Sequence, residues 1–339
     1  MSLARAIETG DLAELPSRRD EDWRWTDLRG LIRAMPAASA VSEAVGAGPF
    51  NALADSVVRI VNGRADDALS AAHGVVGLRI VSVGDGAHAA SQRLVVLAGQ
   101  TLTLLESYEG PGETVAEFDL AIDIAEGARL ERIVLCDEAA GAVLVSRADV
   151  TLAPGASFAQ TVLTSGARRQ RIETHVMHPG GGASARLDGV YLLDDQRHAD
   201  ITTVVTHAGM NGTTNQLTKG VVGGQGRGVF QGRIVVEPGA DQTDARMGHH
   251  ALLLSDRAEV DAKPELEIFA DDVACAHGNT VGALDEEALF YAEQRGIPEP
   301  DARAMLTEAF VAEVVDRIEH EGARDVARAW VAERLGAAA

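Results

Sequence analysis

A chain of 339 residues, 46% of them hydrophobic, holds enough apolar material for a continuous core without covalent staples. Its 30 Lys and Arg against 51 Asp and Glu give a formal charge of -21, which repels phosphate backbones and anionic lipid and sets nucleic acid and the membrane aside as partners. Two cysteines, Cys136 and Cys275, are too few for a disulfide framework.

Residues 1–50 read as an N-terminal helical region, with patches such as "DEDWRWTDLRGLIRAM", and residues 51–94 as a lead-in to the core. The opening "MSLARAIETGDLAELPSRRDEDW" has no apolar run followed by a small-residue cleavage site, so a reducing cytoplasm is the expected compartment. Every apolar stretch is shorter than the roughly 20 residues needed to span a bilayer.

Residues 95–282 carry the most informative pattern. A small turn followed by alternating apolar residues returns at Gly99, Gly127, Gly155, Gly182 and Gly239, with a degenerate copy near "HAGMNGTTNQLTKGVV" in the last and longest gap. Before each turn lies a second alternating run, such as "VAEFDLAIDI" or "GRIVVEP". Period-two alternation argues for strands, and two strands per repeat of 28 residues, the spacing from Gly99 to Gly127, argue for a parallel β-helix or a related solenoid. One such coil buries too little to stand alone, so coils must stack and share a core. An irregular β-sandwich does not require this constant spacing.

Within the repeats, "GGQGRGVFQG" at Gly223 to Gly232 lacks dinucleotide-loop spacing and leads into no helix, so its glycines read as turns. His175, His178, His198, His207, His249 and His250 raise a metal hypothesis, and stacking could join His178 to His207, one coil apart. No dense Cys/His motif accompanies them, and exposed or turn histidines are the expectation. In "VACAHG", an extended backbone places Cys275 and His277 on one face, roughly 6.7 Å apart along the strand. Thiolate and imidazole both suit iron or zinc, but two donors leave a metal incomplete, and a buried inert thiol is an equally local explanation.

Residues 283–339 read as a C-terminal helical domain. Asp285, Glu286 and Glu287 mark a helix start, Gly296 a stop, and Pro300 the first turn of the next helix. That helix places Ala302, Met305, Leu306, Ala309, Phe310, Val314 and Ile318 along one face, which packs either on the chain's own core or on a partner.

The run from Ala258 to Phe310 closely resembles the C-terminal signature of the SufD family of iron-sulfur cluster assembly proteins. The matching elements are "KPELEI" at Lys263, "DDVACAHGNTVG" at Asp271, "LFYAEQRGI" at Leu289 and the helix that follows. Weaker likeness extends to "LPSRRDEDWRWTDL" at Leu15, "RIVNGR" at Arg59 and "FQGRIVV" at Phe230. The related SufB subunits are longer and lack the C-x-H-G pattern, so "CAHG" favours SufD. Ala276 and Asn279 depart from the usual serine and alanine of the family, which puts the local hydrogen bonding in question.

The resemblance implies a mainly β fold, a right-handed parallel β-helix between N-terminal and C-terminal α-helical regions. It implies a non-catalytic scaffold working with SufB and the ATPase SufC, whose cargo is a nascent, transient iron-sulfur cluster at the SufB interface. His277 becomes a candidate ligand shared with a SufB cysteine, with Cys275 as a nearby contributor. The tail carrying Met305, Leu306, Ala309, Phe310 and Val314 is then a candidate SufC-docking or core-facing helix, and a homodimer of the isolated chain stays open. Two other classes remain: a β-helix enzyme acting on polysaccharide through acids such as Asp194, Asp195, Asp271 and Asp272, and a structural interaction protein in which the C-x-H pair binds no metal. An aromatic content of 4% argues against the sugar enzyme.

Overall fold

The computed structural model describes residues 2–43, 46–69, 74–178 and 181–337. Among them the chain forms β1 (Ser56–Val61), β2 (Arg64–Ala65), β3 (Gly74–Val81), β4 (Gly86–Val96), β5 (Thr101–Gly110), β6 (Thr114–Ile124), β7 (Arg129–Glu138), β8 (Val143–Leu152) and β9 (Ser157–Thr164). It continues through β10 (Arg169–His178), β11 (Ser184–Leu193), β12 (His198–His207), β13 (Thr213–Val222), β14 (Arg227–Val236), β15 (Thr243–Leu253), β16 (Glu259–Ile268) and β17 (Val273–Gly282). From β3 onward the chain alternates between two parallel sheets. One runs β17-β15-β13-β11-β9-β7-β5-β3-β1-β2, the other β16-β14-β12-β10-β8-β6-β4. This is the expected parallel solenoid.

Alternation along each strand sends every second side chain into the bore. Leu130, Phe158, Leu187, Ile172, Ile201 and Phe230 meet there in one continuous core. The register gives the period directly: Thr101 lies beside Arg129, Arg129 beside Ser157, Ser157 beside Ser184, Ser184 beside Thr213 and Thr213 beside Asp244. Successive steps are therefore 28, 28, 27, 29 and 31 residues.

The coils turn at a ladder of left-handed residues. Gly99, Gly127, Gly155, Gly182, Asn211 and Gln242 have φ of 69, 62, 66, 70, 58 and 58°. Each donates its backbone N–H to the carbonyl one residue before the next ladder position, or to Asp272 from Gln242. Asn211 fills the missing beat, since asparagine tolerates this conformation better than most side chains. Gly239, read from the sequence as a repeat mark, lies three residues ahead of the true equivalent, Gln242, in a lengthened turn.

The N-terminal region contains α1 (Leu3–Thr9), capped by Ser2 and by Gly10 at φ 72°, and 3-10 turns at Leu12–Glu14 and Glu21–Trp23. The stretch "DEDWRWTDLRGLIRAM" does not form the helix expected of it. Two of its carbonyls are taken up by the sheet: Asp22 O accepts from Arg171 Nη1 at 2.6 Å and Gln231 Nε2 at 3.1 Å, and Trp25 O lies 3.0 Å from His198 Nε2. The Arg171 guanidinium also sits 4.4 Å from the Trp23 ring centroid. Those outward bonds break the segment into short turns, such as Trp23 N–H to Asp20 O and Ile32 N–H to Leu28 O, in place of one continuous helix.

At the C-terminus, α2 (Glu286–Gln294), α3 (Glu299–Val315) and α4 (Glu321–Ala337) follow β17. Asp285 caps α2 by accepting from the Glu287 and Ala288 amides, and Pro300 lies in the first turn of α3. Val311, Val314, Val315, Ile318, Trp330 and Val331 pack on Leu105, Ile133, Leu163 and Val221 of the ten-stranded sheet's outer face. Each fully buried aliphatic side chain there contributes about 1.5–3 kcal/mol. No helix among the described residues is long and apolar enough to cross a membrane.

Candidate functional site

Strand β17 is the last strand of its sheet, and β16 the last of the other. At this end the bore is open: Val260, Leu266, Val273 and Cys275 pack against the core but are only partly buried, and Ile268, Phe269 and Val281 are exposed. A terminal strand presents unpaired N–H and C=O groups that another chain can use. The register with β15 sets Cys275 beside Ala245 and His277 beside Met247. Both partners belong to the core, so Cys275 and His277 occupy inward-facing rows two residues apart on the edge strand.

Cys275 is half-buried and His277 exposed. Burial pushes the Cys275 thiol up, with Asp244 adding to the shift and the Ala245 backbone opposing it. In the chain alone Cys275 is therefore a neutral thiol, and ligation requires its proton to be displaced. Among the described residues no group of three or more His, Cys, Asp or Glu side chains could hold a metal ion. The C-x-H pair supplies at most two donors, and the rest must come from elsewhere.

The other candidates distribute differently from expectation. His178, His198, His207 and His249 are buried, not exposed. His178 and His207 are register partners whose ring centroids stand 4.3 Å apart, so the coils do bring them together, and His198 is covered by the N-terminal segment. Desolvation lowers His178 and His198 to about 3 and His207 and His249 to about 4, which leaves all four neutral. His175 pairs with Glu173, and His250 Nδ1 lies 2.7 Å from Thr280 Oγ1. Cys136 is wholly buried with Gln170 Nε2 at 3.2 Å from its sulfur, and desolvation with the nearby Glu138 raises its thiol far above the usual range. Asp194, Asp195, Asp271 and Asp272 are exposed loop acids. Gly223 and Gly224 form the turn before β14.

On α3 the expected stripe divides. Val314 faces the chain's own sheet, while Leu306 and Phe310 are half-buried, with Lys219 Nζ 4.4 Å from the Phe310 ring centroid. Met305 and Ala309 face solvent. Ala302 and Ile318 of the stripe are buried with Val314, and the buried side extends past it through Thr307, Val311 and Val315, at i, i+4, i+8, because α3 lies on the sheet with that side down. Met305 is 55% exposed, and on α2 Phe290 and Tyr291 are each 61% exposed.

Comparisons with known proteins place the chain among iron-sulfur cluster assembly proteins. The iron-sulfur cluster assembly protein SufD of Escherichia coli K12 is 29% identical over 391 aligned positions, covering 98% of this chain and 91% of that protein. A SufBD family iron-sulfur cluster assembly protein of Mycobacterium leprae is 27% identical over 346 positions, covering 91% and 87%. SufD of Bacillus subtilis is 34% identical over 145 positions, covering 43% of this chain and 33% of its own. Residues 80–310 match the family model for the SufBD core domain of the SUF system for FeS cluster assembly. That span is well over half of the chain, which therefore belongs to the SufBD family of iron-sulfur cluster assembly proteins.

Proposed function

We propose that this chain is the SufD-type scaffold subunit of a SUF assembly, working with SufB and the ATPase SufC, and itself performs no catalysis. The observation that carries the reading is the open end of the solenoid, where an edge strand with a free backbone also bears Cys275 and His277. The cargo is a nascent iron-sulfur cluster, transient at the junction with SufB. His277 supplies an imidazole ligand opposite a SufB cysteine, and Cys275 lies close enough to contribute once deprotonated. Two donors per chain are too few for a metal, and two chains remove the deficit.

The helical tail provides the second contact. One face of α3 and α4 is occupied by the chain's own sheet, whereas Phe290 and Tyr291 of α2 and Met305 of α3 are left exposed and available to SufC. ATP-driven closure of SufC would then pull on α2, which follows directly from β17. Anaerobic co-expression with SufB and SufC tests the reading. A three-subunit complex with iron-sulfur absorption is the expected result; failure of this chain to co-purify with either subunit would exclude it. Isolated, the same open end can receive a second copy of the chain.

A further inference from the structure

The adjacent His249 and His250 take no part in the ligand set above, yet both are tied to the edge strand. Inside the bore, His249 Nδ1 lies 2.7 Å from Asn279 Oδ1 and Nε2 lies 2.8 Å from the Tyr191 hydroxyl. An amide oxygen only accepts, so His249 donates from Nδ1 to Asn279 and accepts the Tyr191 O–H at Nε2. The ring also stacks on Phe230, 4.8 Å between centroids and 4° from parallel. Gly220 leaves room for Tyr191: a Cβ there would fall 2.0 Å from its ring. Outside the bore, His250 Nδ1 and Thr280 Oγ1 are 2.7 Å apart. Both pairs are also register partners, His249 beside Asn279 and His250 beside Thr280.

Two consecutive rungs therefore grip β17 from its two faces, beginning two residues beyond His277. An edge strand has backbone partners on one side only and opens more readily than the strands behind it. A strand that must order itself when its partner arrives loses affinity to that ordering, and side-chain ties made beforehand reduce the loss. We propose that His249 and His250 are positioning residues, which with Asn279 and Thr280 clamp β17 and hold His277 and Cys275 in register before the partner subunit docks. The inference rests on β17 being the partner-facing strand that carries His277.

Native-state amide exchange on the full chain tests the clamp without any partner. An N279A/T280V double variant is expected to speed exchange across Val273–Gly282 by about tenfold for each tie lost, with β11, β13 and the melting temperature unchanged. Asn279→Asp, which keeps the acceptor, should retain wild-type protection. Unchanged exchange in the double variant, or equal loss from β11 through β17, overturns the proposal. In the anaerobic complex with SufB and SufC, the double variant should retain several-fold less iron than Asn279→Asp, and equal iron in both overturns the positioning role. A wild-type complex without iron removes the ligand reading alone, because exchange is measured on the isolated chain.

Discussion

Arg132 and Glu106 form a two-pronged ion pair inside the solenoid bore, with Nε and Nη2 each 2.8 Å from a carboxylate oxygen and side chains 1% and 0% exposed. The remaining valences are filled as well. Arg132 Nη1 donates to Gln160, and the Tyr108 hydroxyl donates to Glu106. Such a pair adds little over an apolar filling, but removing one member strands a buried charge. Arg132→Met or Glu106→Leu alone should destabilise the chain by about 3–5 kcal/mol, and the double replacement should recover most of it. Urea denaturation of the two single variants and the double variant reads this; equal effects of single and double replacement would contradict it.

The buried histidines predict an acid-side penalty. His198 titrates at about 3 in the fold against 6.5 in the open chain, through desolvation and then Arg169. The unfolded state therefore takes up the proton first, and stability present above 6.5 is lost as pH falls toward that lower value. Burial acts the opposite way on Glu117, Glu138 and Asp188, raised to about 7, 8 and 7, so total stability against pH conceals the effect. The difference between wild type and His198→Gln isolates it. The variant should gain on wild type steadily from pH 6.5 down to 4. A constant difference across that range would show that His198 is not held neutral.

Glu138 carries the reverse sign. Its two neighbours are already engaged, Asp137 with Arg334 and Ser165, and Glu109 with Arg79, while neither Glu138 carboxylate oxygen has a hydrogen-bond partner. Desolvation, then Asp137 and Glu109, raise it from 4.5 to about 8, so the folded state holds a proton the unfolded state releases. Stability is lost as pH rises through that interval. Glu138→Gln should therefore be more stable than wild type by a margin that widens from pH 5 to 8, reaching the order of a few kcal/mol. A thermal-melt series that shows a fixed margin would contradict this.

The α2 surface separates binding from folding. Phe290 and Tyr291 are each 61% exposed, and Tyr291 is tied to the exposed Arg295 by a hydrogen bond to its hydroxyl and by a cation–π contact, so Phe290→Ser with Tyr291→Ser should change stability by no more than about 1 kcal/mol. If this face docks SufC, the same double variant should weaken capture of SufC at least about tenfold, since interface aromatics of this kind dominate binding energy. Titration calorimetry with purified SufC provides the affinity, and unchanged binding would move the docking site elsewhere.

The solenoid was legible because its period is written in chain-local features: alternation, and small residues at turns with positive φ. Asn211 and Gln242 hid from a search for glycine while adopting the same conformation. The C-x-H pair was legible because its geometry needs only a strand's own repeat. Histidine burial was not, since it depends on which segment covers which coil: the N-terminal segment covers His198, and the next rung covers His178. The α3 face was misplaced by Met305 and Ala309, whose apolar character fits the stripe although the sheet lies under Val311 and Val315. Asn279, an unexplained departure in the sequence, finds its partner in His249 thirty residues earlier, a relationship that only the register shows.

Iron and sulfide analysis of the anaerobic complex of this chain with SufB and SufC, carrying wild-type His277, His277→Ala or Cys275→Ala, tests the shared-ligand proposal most directly. His277 is exposed and Cys275 half-buried, so His277→Ala should leave subunit assembly intact. The prediction is an assembled His277→Ala complex that has lost most of its iron and sulfide, with a smaller loss for Cys275→Ala. An assembled His277→Ala complex with the iron and sulfide of wild type would contradict it.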